Sequence, residues 1–189
     1  MAPIAAKDWY ETIRMADAVT LIHEPWIKPF FRCNMWHVPG GHRYLLLHTG
    51  LRPFSLRLPL RLVAHPPLPC LASHPHFAHI GCHHEFPERC VHTAEAEILA
   101  DPRNEWTVAD RYATDEMFHR LPEGWDASRY RINPAPAQRL LAGGDANQGI
   151  TGAGVSGGLT ATPSIVVGNV HVGATAYTAL GSLSSDNNG

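Results

Sequence analysis

Apolar and polar residues along this chain fall into short runs, and the runs predict an α/β fold. Ala18 to His23 is rich in β-forming residues and stops at Glu24-Pro25, which predicts a first strand. Phe30 to Val38 predicts a second. Pro39-Gly40-Gly41-His42 carries strong turn chemistry and Tyr44 to His48 follows as a third strand, so strands two and three should form a hairpin ending at Thr49-Gly50. Residues 8–17 read as a polar-aromatic lead-in. Between residues 51 and 67 the pattern allows two readings. Leu51, Leu56, Leu58, Leu60 and Leu62 alternate as along a strand, or Ser55 to Val63 forms a short helix interrupted by Pro59. Pro66-Pro67 and Pro69 frame the run Leu68 to Ser73, which reads as a buried strand with a stiff approach.

Further along, Ile80 to Glu85 predicts the start of a helix, and Arg89-Cys90-Val91-His92 a short strand. Thr93 reads as the N-cap of a helix running to Leu99 or Ala100, with Glu95 and Glu97 in its first turn and Asp101-Pro102 as its stop. Residues 110–121 predict another helix, with Tyr112, Met117, Phe118 and Leu121 on its apolar face. Tyr130-Arg131-Ile132 is a candidate strand, and Gln138 to Leu141 extends before Gly143-Gly144-Asp145.

Composition shifts near residue 143. Beyond Arg139 there is no Lys or Arg, and Asp145 and Asp186 are the only acids. Ile165-Val166-Val167 and Val170-His171-Val172 read as strands around the turn pair Gly168-Asn169, and Ser182 to Gly189 as a disordered tail. Three readings stand for this segment: a linker with an edge hairpin, a low-complexity tail, or a stretch of different origin such as a shifted reading frame.

The whole chain, 189 residues with 44% hydrophobic and 17% charged content, fits one ordinary globular domain with a real core. A net charge of -2 offers no basic field for nucleic acid and no polybasic membrane anchor. No apolar run approaches the roughly 20 residues that span a bilayer, and the first residues lack the pattern of a secretory signal. Cys33, Cys70, Cys82 and Cys90 are therefore expected as free thiols in a cytoplasmic protein.

The chemistry concentrates in His74-Pro75-His76-Phe77-Ala78-His79, where three imidazoles fall within six residues at the end of a predicted strand. Imidazole is the commonest zinc ligand, and a catalytic zinc needs about three protein ligands and an open position. Spacing alone supports an exposed polar loop as well as a metal site. His83 and His84 are expected at the surface, and Glu85, Glu88, Glu95 and Glu97 on solvated helix faces. His23, His37, His42, His65 and His119 are expected to be structural or solvated, and Trp9, Trp26 and Trp36 to anchor core or loops. Cys70, Cys82, Cys90 and His92 fit no paired Cys-x-x-Cys spacing, so packing is the expectation for the cysteines. The glycines of 152–158 lack the Gly-Lys-Ser/Thr ending of a phosphate loop and read as linker.

The histidine stretch resembles the His-x-His-x-Asp-His signature of the metallo-β-lactamase fold. Its surroundings are similar too: Val19 to Ile22, Phe31 to Val38, and Leu45-Leu46-Leu47-His48-Thr49-Gly50 follow the family's opening strands, the last resembling an apolar strand closing in Asp-Thr-Gly. Leu71-Ala72-Ser73, Ile80-Gly81 and the Gly-Asp turn in Leu140 to Asp145 extend the likeness over roughly residues 8–146. The resemblance implies an αββα sandwich of metallo-β-lactamase type, here incomplete, with residues 1–146 as the domain and 147–189 as a Gly/Ala/Ser/Thr-rich segment. It implies one or two zinc ions, with His74 and His76 on the first and His79 on the second, and hydrolysis of a small ester, thioester, lactone or amide. The sequence departs from the pattern at Ala78, where the family has Asp, and at His48, where the strand-closing Asp is expected. The downstream ligands lack counterparts: Thr162-Pro163-Ser164 keeps only the start of the family's Thr-Pro-Gly-His-like turn, and His171 is the sole histidine after His119. A non-catalytic scaffold or an incomplete gene product of the same fold is the alternative.

Overall fold

The computed structural model describes residues 2–15, 18–39, 44–64 and 68–141, and the backbone of 150–151, 165–167 and 170–172. Its centre is a mixed sheet of seven strands standing in chain order. These are β1 (Glu11–Arg14), β2 (Thr20–His23), β3 (Met35–Pro39), β4 (Tyr44–Leu47), β5 (Cys70–Ala72), β6 (Arg89–His92) and β7 (Arg139–Leu141). The first four pair antiparallel, and β4 to β7 run parallel. Strands β8 (Ile150–Thr151), β9 (Ile165–Val167) and β10 (Val170–Val172) form a separate antiparallel sheet. The Gly143-Gly144-Asp145 turn and the tail from Ser182 lie outside the described residues.

Period-two alternation explains the sheet. Ile22, Met35, Leu46, Cys70, Ala72 and Val91 enter the larger core cluster on one face. Their alternates Trp36, Val38, Leu45, Leu47, Leu71, Cys90 and Leu141 form a second cluster on the other. Both faces are apolar, as in sheets covered on both sides rather than half-solvated ones. This arrangement accords with the α/β expectation.

Several local expectations change. β1 lies within the predicted lead-in, and all of its residues are exposed, so no alternation marked it. Pro29 opens a 3-10 turn over Pro29–Phe31, which delays the second strand to Met35. Residues 51–64 form turns and one helical turn, α1 (Arg61–Ala64), rather than a strand. The Glu85 carboxylate pins that stretch, accepting from Ser55 Oγ at 3.0 Å and from the amides of Leu56 and Arg57 at 3.1 Å. Glu85 is thus an anchor, not a solvated acid. The helix expected at 80–85 starts earlier, as α2 (Phe77–Ile80), followed by a 3-10 turn at His83–Glu85. Helix α3 (Ala96–Ala100) is preceded by a 3-10 turn capped by His92, whose Nδ1 accepts from Ala94 N at 3.2 Å, instead of by Thr93. The helix expected over 110–121 reduces to α4 (Ala109–Tyr112) and a 3-10 turn at Asp115–Met117. Of its expected apolar face Met117 and Phe118 are buried, but Tyr112 and Leu121 are exposed. Tyr130 to Ile132 is not a strand; Tyr130 packs inward and its hydroxyl donates to Leu51 O at 2.8 Å.

Beneath the end of β4 lies a buried acid. Glu24 is 0% exposed and accepts from Trp9 Nε1 at 2.9 Å and from Leu51 N at 3.0 Å. Burial pushes its carboxyl up to about 7, against the two hydrogen bonds that favour the ionised form. The folded chain therefore keeps this proton up to about pH 7, whereas an unfolded chain releases it near 4.5. Folding binds the extra proton in that window, so this group's contribution to stability falls as pH rises through it, by about 3 kcal/mol in all. Glu24→Gln should remove that slope: in urea titrations from pH 4.5 to 8, the stability difference between variant and wild type should shift in the variant's favour as pH rises.

Candidate metal centre

Strand directions gather the site at one sheet edge. β3 runs antiparallel to β4, and β5 runs parallel to it, so the start of β3 and the ends of β4 and β5 lie together. Cys33 precedes β3, His48 follows β4, and Ser73-His74 follow β5. His76 then N-caps α2 without a side-chain bond, and His79 sits in its single turn. In open α/β sheets ligands collect beyond the carboxyl ends of the strands, which is where these residues stand.

The backbone holds His79 in place. Thr49 donates twice to His79 O, from its amide at 2.8 Å and from Oγ at 3.2 Å. Gly81 N donates to Gly50 O at 2.8 Å. At Gly81 a Cβ would meet Gly50 O and the Leu51 carbonyl, each at 2.5 Å, so the residue admits no side chain. Gly50 sits at φ +70, a conformation suited to glycine. His83 supports this contact: it is fully buried, contrary to its expected surface position, with Nδ1 3.4 Å from Thr49 Oγ and its ring nitrogens 3.5 and 3.6 Å from Cys70 Sγ. Burial holds His83 down to about 3.

The three histidines of the sequence stretch come together. Ring centroids are 4.2 Å apart for His74 and His79, 4.5 Å for His74 and His76, and 6.4 Å for His76 and His79. His48 joins them, 4.4 Å from His79 and 5.9 Å from His74. Its Nε2 lies 2.6 Å from Ser73 Oγ, which is in turn 2.9 Å from His74 Nδ1. A tighter group is Cys33, His48 and His79, each offering one ligand atom within 4.8 Å of the others. His79 Nδ1 is 3.1 Å from His48 Nδ1 and 3.2 Å from Cys33 Sγ.

Burial is the leading cause of every shift here. It holds His48 down to about 4, His74 to about 3, and His79 well below its ordinary value, with neighbouring imidazoles lowering His74 and His79 further. His76, the exposed member, is lowered by burial while Glu95 pulls the other way. The imidazoles are neutral at pH 7, the form that carries a ligating lone pair. Cys33 is pushed up by burial and by Glu24, so its thiol is protonated until something replaces the proton. Neutral imidazoles with a thiol make a nitrogen–sulfur donor set suited to zinc. Ala78 contributes only a methyl, 6% exposed and packed in the larger core cluster.

Sequence reasoning missed two members. His48 stood in view as an oddity at the strand-closing position and was not weighed as a ligand. Cys33 has no local motif; it lies 46 residues from His79, and only strand pairing brings it close.

No protein-family model matches the chain. It is 31% identical over 155 residues to human acyl-coenzyme A thioesterase MBLAC2, whose name denotes a metallo-β-lactamase domain, and 33% identical over 152 residues to the Gallus gallus protein of the same name. These alignments take in 75% of this chain. The chain belongs to the metallo-β-lactamase fold superfamily. It spans about half the length of the curated relatives it matches, 55% of the human protein and 54% of the Gallus gallus one. A beta-lactamase from Chitinophaga pinensis aligns with 82% of this chain and 51% of that one, at 17% identity and a TM-score of 0.43.

As a metallo-β-lactamase fold member, the chain holds His79 through the Gly50–Gly81 contact. Gly81→Ala should therefore cost more than about 3 kcal/mol, because backbone rather than a yielding side chain faces the new Cβ. Calorimetry should show a melting temperature lower by roughly 10 °C. An unchanged melting temperature would show that the contact relaxes freely.

Proposed function

We propose that the chain is a zinc-dependent hydrolase of small acyl substrates, with thioesters as the substrate class. The observation that carries this reading is the cluster of neutral imidazoles, His74, His76 and His79, beyond the parallel strand ends of a metallo-β-lactamase fold. The relatives named acyl-coenzyme A thioesterase supply the substrate class. Zinc, when bound, supplies Lewis acidity towards a carbonyl and a water of low pKa.

The chain's own residues do the rest. His76 is exposed and meets the substrate side, while His74 is held by Ser73 and His79 by Thr49. Residues 1–146 are taken as the unit that carries the chemistry, and 147–189 as a separate segment. Among the described residues no helix is long and apolar enough to cross a membrane. The four free, buried cysteines support a reducing, cytoplasmic setting.

A second reading, a scaffold without turnover, is favoured by one observation: the methyl of Ala78 is packed into the core where the family signature places an acid. Hydrolysis assays with a short acyl-coenzyme A thioester decide between them. The zinc-loaded chain should cleave it, a chelator should stop the reaction, and His76→Ala should lower kcat/KM by about 100-fold or more. Turnover that survives exhaustive chelation would sink the zinc reading. No turnover by the zinc-loaded chain would favour the scaffold.

A further inference from the structure

The family signature pairs its histidines with an acid that this chain lacks, yet the densest set of ligand atoms among the described residues includes side chains from outside the signature. Cys33 Sγ lies 3.2 Å from His79 Nδ1, which lies 3.1 Å from His48 Nδ1. Around a tetrahedral zinc, bond lengths of about 2.0–2.1 Å to nitrogen and 2.3 Å to sulfur set the ligand atoms roughly 3.3–3.6 Å apart. These two separations are within a few tenths of an ångström of that frame, and the third pair, Cys33 and His48, lies within 4.8 Å.

Protons alone account poorly for these contacts. A neutral imidazole nitrogen has either one lone pair or one hydrogen, not both. His79 Nδ1 faces two groups at contact distance, so one proton serves one of the pairs and leaves the other without a bond. One cation at the centre of the three would satisfy every lone pair at once.

The surroundings orient His48 for that role. Its backbone is at φ 65, a left-handed conformation that a non-glycine residue holds only at a steric cost. Its Nε2 contacts Ser73 Oγ at 2.6 Å, and donation there leaves the lone pair on Nδ1, facing His79. Fixing the far nitrogen of a ligating histidine is the usual way a protein sets its tautomer and ring angle. Ser73 can then pass its own hydroxyl hydrogen to His74 Nδ1, 2.9 Å away, and the Asn34 carbonyl, 3.4 Å from His48 Nδ1, is the one acceptor this arrangement leaves without a hydrogen.

We infer that Cys33, His48 and His79 together hold one divalent metal ion of the zinc class, through one sulfur and two imidazole nitrogens, in place of the acid-containing set of the family signature. The inference shares His79 with the function proposed above but requires no turnover. The Cys33 thiol gives up its proton to solvent as the ion binds, so the sulfur ligates as thiolate. A soft sulfur and two imidazoles favour zinc or cobalt over magnesium or calcium.

Cobalt titration of the full-length, metal-free chain tests this directly. One equivalent should produce sulfur-to-cobalt charge-transfer absorption in the near ultraviolet. Cys33→Ser should abolish that absorption and weaken zinc binding by about 100-fold or more, and His48→Ala should weaken it similarly. His76→Ala should keep the absorption even where it removes hydrolysis. A measurement that needs no variant guards against misfolding: zinc should protect Cys33 of the wild-type chain from alkylation, read by mass spectrometry of its peptide, more than it protects Cys70, Cys82 or Cys90. Cobalt binding without the sulfur band, unchanged zinc affinity in folded Cys33→Ser, equal alkylation of Cys33 with and without zinc at a urea concentration where the metal-free thiol reacts, or no metal binding at all would each overturn the inference. A sulfur band in a chain that hydrolyses nothing would uphold the site and reject the proposed activity.

Discussion

The contact of Gly81 on the backbone of Gly50 and Leu51 is the constraint on which the site depends. It joins the loop leaving β4 to the helix that carries His79, at a distance no side chain survives. Thr49 reinforces it with two hydrogen bonds to one carbonyl, and His83 packs behind Thr49. On the other side of the same loop, Glu24 accepts from Leu51 N and lies 3.0 Å from the space a Gly50 Cβ would take. Two elements distant in sequence are thereby fixed to within an atom's width. Imidazoles placed on them inherit that precision without needing a long helix or a rigid loop of their own.

Legibility followed physical range. β2, β4, β5 and β6 were readable because apolar runs bounded by Pro, Gly or polar pairs carry their own signal. The exposed β1 has no apolar face to betray it, and the helix expected over 110–121 failed because Val108 enters at φ 55 and Ala113 leaves the helical region after a single turn. The histidine stretch was legible as a motif. Cys33, His48 as a ligand candidate, buried His83 and the anchoring carboxylates of Glu24 and Glu85 were not, since each owes its environment to residues 13 to 46 positions away. A sequence names donors; it does not say which of them the sheet will bring face to face.

Ala78 takes on a different meaning in this setting. In the signature alone it is a missing acid. In the fold it is part of the core, among residues such as Phe77 and Ile80 that seat α2 against the sheet. A carboxylate there would have to be desolvated or would have to pull the helix outwards, and either would disturb the position of His79. The loss of the acid and the seating of the helix are one structural fact.

Strand order carries a consequence for how the molecule assembles. Because β1 to β7 stand in the sheet in the order they occur in the chain, each strand can add to the edge left open by the one before it. No strand waits for a later one to be inserted between its neighbours, and from β1 to β4 the loops to be closed are short, which favours rapid pairing. Cys33, His48, His74, His76 and His79 all precede β6 and belong to the strand ends of β3, β4 and β5 or to α2. The cluster can therefore form once β5 has docked, while that edge of the sheet is still growing. Every residue of the polar centre is thus already in the chain before β6 and β7 begin.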